Sequence, residues 1–180
     1  CVIVLPTFRQ PITKLPLIPC SSLKGIFRMA LEVKYGDVTK KSRGVGPSQD
    51  ADNPSLVCKL FGNASSQSNK EATRVIFRDA PLSDGSEEYA TGEEKIEVKM
   101  DREKMSGFQG GNRVQERIAE GANFDFEIMI RIFESDDEEK FRNRIEEAIK
   151  IVEAEYLGGS GTRGYGKVKF EELKWEKITI

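Results

Sequence analysis

No histidine occurs anywhere in these 180 residues, which excludes Ser-His and Cys-His nucleophilic catalysis and histidine-based metal sites from the chain. The three cysteines, Cys1, Cys20 and Cys58, form no CxxC spacing. With no secretory segment in view they read as reduced thiols of a cytoplasmic protein, and a structural zinc on Cys20 or Cys58 is not expected. The GK[ST] phosphate-loop signature is missing, and no apolar run approaches transmembrane length, so no membrane partner is expected. No acidic residue precedes Glu32. The chain begins at Cys1, inside an apolar run, rather than at Met, and further residues are expected upstream.

Charged residues make up 32% of the chain and hydrophobic residues 38%, the composition of a globular domain large enough to bury a core. The net charge of −2 does not advertise a polyanion binder, but its distribution does. Residues 1–80 carry 12 Lys/Arg against 6 Asp/Glu, whereas residues 81–180 carry 16 against 24. A basic first half and an acidic second half suggest one face for a polyanion and another held away from it.

Cys1–Leu5 reads as a buried strand, and Thr7–Pro19, with Pro11, Pro16 and Pro19, as an extended connector. Ser21 or Ser22 is positioned to cap a helix that runs to about Tyr35 and stops at Gly36. Leu23, Phe27, Ala30 and Leu31 form its buried stripe, with Lys24 and Arg28 one turn apart beside it. Gly25 is out of place there, since an interior helix glycine costs roughly 1 kcal/mol against alanine. A ligand that approaches the first turn closely would explain it, and a helix start with two serines and two cations suits a phosphate. Two such lysine and arginine charges are also ordinary on a solvated helix face.

Residues 36–69 read as an irregular insertion with a short helix near 54–61, and Thr73–Phe77 as a strand. Residues 83–120 form a second insertion: a strand over Glu93–Met100, a glycine-rich turn at Gly107–Gly111, and a segment holding Arg113 and Arg117. Asn123–Phe133 alternates as a half-buried strand. Asp136–Leu157 is a second helix with a stripe of Phe141, Ile145, Ala148, Ile149 and Val152 and an acidic outer face, and Gly166–Phe170 begins a last strand. The order β-α-β-β-α-β predicts an α+β, ferredoxin-like fold with both helices on one face of an antiparallel sheet.

Between the second helix and the last strand lies Tyr156-Leu-Gly-Gly-Ser-Gly-Thr-Arg-Gly-Tyr-Gly-Lys-Val-Lys-Phe170, with five glycines in nine residues. A backbone rich in N–H groups beside Arg163 suits a phosphate chain, with Gly159, Ser160, Gly161 and Tyr165 around it. The same glycines also serve a long helix cap and turn, and glycine content alone leaves both readings open.

Four separated stretches together carry a resemblance: Pro16-Leu-Ile-Pro-Cys-Ser-Ser-Leu-Lys-Gly-Ile-Phe-Arg28, Lys59-Leu-Phe-Gly62, Ile76-Phe-Arg-Asp-Ala80 and the glycine loop. The segment Ile96–Phe126, with Asp101-Arg102, Arg113-Val-Gln-Glu-Arg117 and Gly121, adds a fifth. The chain resembles the RAMP-superfamily backbone subunits of type III-A CRISPR (Csm) interference complexes, the third-subunit family. That resemblance implies a single domain over 1–180: a modified RNA-recognition-motif core (about 1–36, 73–82 and 122–180), a lid insertion (about 37–72) and a protruding β-hairpin thumb (about 83–121). It also implies head-to-tail stacking with other copies and with other subunits, a guide RNA (crRNA) held along the filament, and a single-stranded target RNA. Implied RNA contacts are Ser21, Ser22, Lys24, Arg28, Gly159, Ser160, Gly161, Arg163, Tyr165, Arg113 and Arg117.

Two departures stand out. Where the family has glycine before Ser-Ser, this chain has Cys20. The family's cleavage aspartate lies between the first strand and the proline-rich connector, at about Val4–Thr7 here, and no acid is present. The expectation is therefore a guide-RNA-binding subunit, with no catalytic residue and no cofactor assigned to these residues. The endoribonuclease alternative needs a loop absent from this sequence and a divalent metal, Mg or Mn; a third alternative is a ferredoxin-like protein–protein adaptor without RNA.

Overall fold

Hydrophobic spacing and turn chemistry set the elements seen in a computed structural model, which describes residues 6–41, 44–47, 55–62 and 72–179. In chain order these are β1 (Leu17–Ile18), α1 (Cys20–Tyr35), β2 (Val38–Lys41), β3 (Gly44–Pro47), α2 (Leu56–Phe61), β4 (Val75–Phe77), β5 (Ala80–Pro81), β6 (Glu93–Asp101), β7 (Ser106–Arg117), β8 (Ile128–Ile130) and α3 (Glu138–Ala154). The described strands pair antiparallel as β1–β5, β2–β3, β4–β8 and β6–β7, and the class is α+β. Two compact units result: Cys1–Cys20 with Arg78–Glu127, and Ser21–Phe77 with Ile128–Ile180. The expected first strand, Cys1–Leu5, lies outside the described residues.

In the second unit the predicted stripes are the core. Leu23, Phe27, Ala30 and Leu31 of α1 are buried, as are Phe141, Ile145, Ala148, Ile149 and Val152 of α3. Val57, Cys58, Leu60 and Phe61 of α2 join them, the helix near 54–61 having formed because Ser55 accepts the Cys58 N–H at 3.2 Å and caps it. Aromatic edges lock the layers: Phe27 meets Phe77 of β4 at 5.2 Å between centroids and Phe170 at 5.9 Å, and Phe61 stacks on Phe77 at 6.1 Å. Helix α1 ends at Gly36, whose φ of 64° suits glycine, and Asp137 caps α3 by accepting the Lys140 N–H at 3.1 Å.

Several expectations need correction. Helix α1 begins at Cys20, so Ser21 and Ser22 lie within its first turn rather than capping it; the Cys20 N–H is taken by Asp79 Oδ1 at 2.7 Å. The connector is non-helical as predicted but folds back, with Gln10 N–H on Leu15 O and Leu17 N–H on Phe8 O. The strand over Asn123–Phe133 shortens to Ile128–Ile130, paired with β4, plus an isolated bridge from Phe124 to Leu82. The proline at 81 has no N–H to donate, which helps keep that second pairing short.

Gly166–Phe170 forms no strand among the described residues; the Phe170 N–H goes to Glu153 Oε1 on α3 at 2.7 Å. The outer face of α3 is not simply acidic. Arg142 pairs with Glu146 at 3.0 Å, and Glu147 receives Arg144, Lys34 and the Tyr35 hydroxyl. Two of these pairs lie within α3 itself, and only Lys34 and Tyr35 come from another helix.

One buried ion pair anchors the start of α3. Arg74 Nε donates to Asp136 Oδ2 at 2.8 Å, with side chains 7% and 3% exposed, and the Phe133 ring lies 4.6 Å from the guanidinium. The Arg74 hydrogen bond holds the Asp136 carboxyl below its ordinary 3.8, against burial that pushes it up. A depressed carboxylate stabilises the fold above its unfolded pKa, and that contribution disappears as pH falls through the folded value. Asp136→Asn should therefore lower stability by roughly 3 kcal/mol at pH 7, because it strands a buried guanidinium. In urea titrations the gap to the wild type should narrow as pH drops below the ordinary carboxylate range; a gap that does not change with pH would show that the pair does not carry the effect.

Candidate nucleic-acid interface

The first of two candidate surfaces belongs to the second unit and begins with α1. Ser21, Ser22 and Gly25 are exposed, and Lys24 and Arg28 are half-buried one turn apart. Arg28 is built into the fold: Nε donates to Glu32 Oε1 at 2.7 Å, and Nη1 to Gly62 O at 2.8 Å, the carbonyl just past α2. Its charge stays close to the surface, but its donors are partly committed. Gly25 has no such duty, since a Cβ added there would meet nothing within 4 Å.

The glycine loop lies in the same unit. Its neck is closed by the Leu157 N–H on Gly166 O at 2.8 Å, and a short 3-10 turn, Gly161–Arg163, forms inside it. Two of its glycines have a structural reason. A Cβ on Gly161 would lie 2.0 Å from the Tyr156 ring, and one on Gly166 2.0 Å from Leu157 O. Ser160 adopts φ of 61°, and Arg163 is exposed at the end of the turn, with Tyr165 half-buried beyond it. Gly159 is exposed, is not in the left-handed region and has nothing within 4 Å of an added Cβ. Packing thus accounts for Gly161 and Gly166 but not for Gly159. The chain leaving the loop packs Phe170 on Phe27, the residue between Lys24 and Arg28 on α1.

The second surface is the β6–β7 hairpin of the first unit. Its turn is not the glycine cluster but Arg102–Met105, where Asp101 Oδ1 accepts the Glu103 and Lys104 N–H groups at 3.0 and 3.1 Å. Gly107, Gly110 and Gly111 lie within β7, and the register shifts between Val98 and Met100, a bulge that Gly110 serves with φ of 76°. Arg113 and Arg117 share one face, opposite Glu97 and Glu93; Arg117 Nε donates to Glu93 Oε2 at 2.8 Å. Sequence reading missed Lys99 over the Phe108 ring at 5.1 Å on this hairpin. Strand alternation offered the signal, but the mistaken turn hid the partnership. Ile96, Val98 and Met100 form an apolar row that is 59%, 50% and 57% exposed.

Among the described residues no group of three or more His, Cys, Asp or Glu side chains is placed to hold a metal. The nuclease alternative thus gains no metal cluster from the described residues. Among the described residues no helix is long and apolar enough to cross a membrane.

The RAMP superfamily model matches residues 2–169. A protein of Methanocaldococcus jannaschii named CRISPR system Cms endoribonuclease Csm3 is 42% identical over 160 residues, covering 88% of this chain and 64% of that protein. The Streptococcus thermophilus protein of the same name is 39% identical over 177 residues, covering 94% of this chain and 75% of its own length. A crystal structure of a Csm3-Csm4 subcomplex in the type III-A CRISPR-Cas interference complex superposes with a TM-score of 0.56 at 30% identity, covering 92% of this chain and 66% of that one. This chain thus spans just under two thirds of the Methanocaldococcus protein. With five stretches of resemblance, a family match over nearly its whole length and a matching solved fold, the chain belongs to the RAMP superfamily and, within it, to the Csm3 family.

Proposed function

We propose that this chain is a guide-RNA-binding backbone subunit of a type III-A CRISPR effector complex. On this reading a ferredoxin-like core holds the RNA backbone, with residues 37–72 as lid and 83–121 as thumb. Other copies of the chain stack head-to-tail on it in the cytoplasm, and further subunits join them, as Csm4 joins Csm3 in the solved neighbour.

The observation that carries the proposal is the pair Gly25 and Gly159. Both are exposed, neither is required by its own backbone angle, and neither has a neighbour within 4 Å of an added Cβ. Each lies within four residues of a cation, Lys24 or Arg163, in one compact unit. Glycines that the fold does not need, next to positive charge, suit the close approach of a sugar-phosphate backbone. Ser21, Ser22, Ser160, Gly161 and Tyr165 then line the track, Arg28 supplies charge from behind, and Arg113 and Arg117 meet RNA from the hairpin. Because phosphates carry no sequence information, binding should tolerate many sequences.

A second reading is favoured by the relatives' names, which call them endoribonucleases. Cleavage of target RNA would need a metal site, and among the described residues no group of three or more His, Cys, Asp or Glu side chains is placed to form one. Holding RNA is the function their chemistry supports.

Filter binding with single-stranded RNA tests the proposal. Affinity should fall with salt, and Lys24→Ala/Arg163→Ala should weaken binding and flatten the logarithmic salt slope by about 1.4, two contacts at about 0.7 each. Undiminished binding by that variant would overturn the phosphate track, and no binding at any salt would favour the adaptor. Gly25→Ala makes a sharper separation. It should stabilise the free chain by up to about 1 kcal/mol in urea while weakening RNA binding, and equal binding by the more stable variant would remove Gly25 from the interface.

A further inference from the structure

At the foot of the hairpin sits a polar knot that RNA holding does not use. Glu116, next to last in β7, has a side chain 12% exposed, and Arg9 one 27% exposed. Glu116 Oε2 accepts the Thr7 N–H at 2.9 Å, and Oε1 accepts Arg9 Nη2. Arg9 Nη1 also donates to Lys14 O at 3.0 Å and to Ala90 O at 2.8 Å. The guanidinium thus ties the folded-back connector, the turn entering β6 and the end of β7. The fit leaves little slack, since a Cβ on Gly92 would lie 2.3 Å from Glu116 Oε1. Burial pushes the Glu116 carboxyl up, but the hydrogen bonds from Arg9 and Thr7 outweigh it and hold the group below its ordinary value.

Farther out, the ribbon has little to steady it. Ile96, Val98, Met100, Met105 and Phe108 are all at least half exposed, and a two-stranded ribbon alone is marginally stable. Arg113 stands three residues, or roughly 10 Å, out from Glu116, so a tilt of about 10° at the foot moves it by about 2 Å and the tip farther.

We propose that Glu116 and Arg9 are positioning residues that fix the direction of the hairpin, so that Arg113 and Arg117 meet RNA at a set place. This rests on the proposed contact between the hairpin and RNA.

A double-mutant cycle on the full chain tests it, with single-stranded RNA affinity and urea stability measured for each variant. Arg113→Ala should weaken binding about fivefold in the wild-type background and have little effect in the Glu116→Ala background. Arg9→Lys keeps the charge but not the planar fork and should behave like Glu116→Ala, which guards against a variant that fails to fold. Hydrogen exchange on the RNA-free chain reads the knot directly. The Thr7 amide should be protected in the wild type and lose protection in Glu116→Ala, while the Gln10 and Leu17 amides keep theirs. Equal Arg113→Ala effects in both backgrounds, or an unprotected wild-type Thr7 amide, would overturn the positioning role. A protected Thr7 amide with no Arg113→Ala effect in the wild type would instead remove the hairpin's RNA contact, and the proposal with it.

Discussion

Phe27 is the side chain on which the second unit depends. It is fully buried on α1, meets Phe77 of β4 and Phe170 beyond the glycine loop, and so joins a helix, a strand and the chain after α3 in one packing event. Burying a ring of that size contributes up to about 3 kcal/mol, a large part of the stability of a marginal domain. Its position also has a consequence for the surface. Residues 24 and 28, one turn apart, lie together on one side of it, so the contact that seats α1 in the core also sets where Lys24 and Arg28 emerge.

Charge is handled differently at the core and at the surface. Arg74 and Asp136 are buried and mutually satisfied, and their net worth lies mainly in the penalty for removing one. Arg28, half-buried, pairs with Glu32 and also donates to Gly62 O, fastening α1 to the end of α2. Half-exposed pairs such as Arg117–Glu93 contribute far less, since solvent screens them.

Glycine sorts in the same way. Gly161 and Gly166 are demanded by a tyrosine ring and a carbonyl oxygen that leave no room for a Cβ, while Gly25 and Gly159 meet no such demand. Composition alone could not divide them, because a glycine that packing requires and one that it does not are the same letter. The hairpin offers the converse lesson. Its glycines invited a turn, but the Asp101 carboxylate captured two backbone N–H groups and closed the chain five residues earlier, leaving Gly110 to make a bulge.

Local rules made much of this protein legible from its residues. The stripes of α1 and α3, the glycine stop at Gly36, the short helix before Gly62 and the alternation of β4 and β6 all follow from periodicity and capping, which act over a few residues. The family was legible too, because five spaced stretches occur in order. Other features depended on residues far apart in the chain, and only the tertiary structure decided them. Asp79 reaches Cys20 and moves the helix start, Glu153 takes the Phe170 amide from the expected last strand, and Glu116 gathers Thr7 and Arg9 across more than a hundred positions. A side-chain carboxylate can satisfy a distant backbone N–H as well as a neighbouring strand can, and nothing in the local pattern announces which will win.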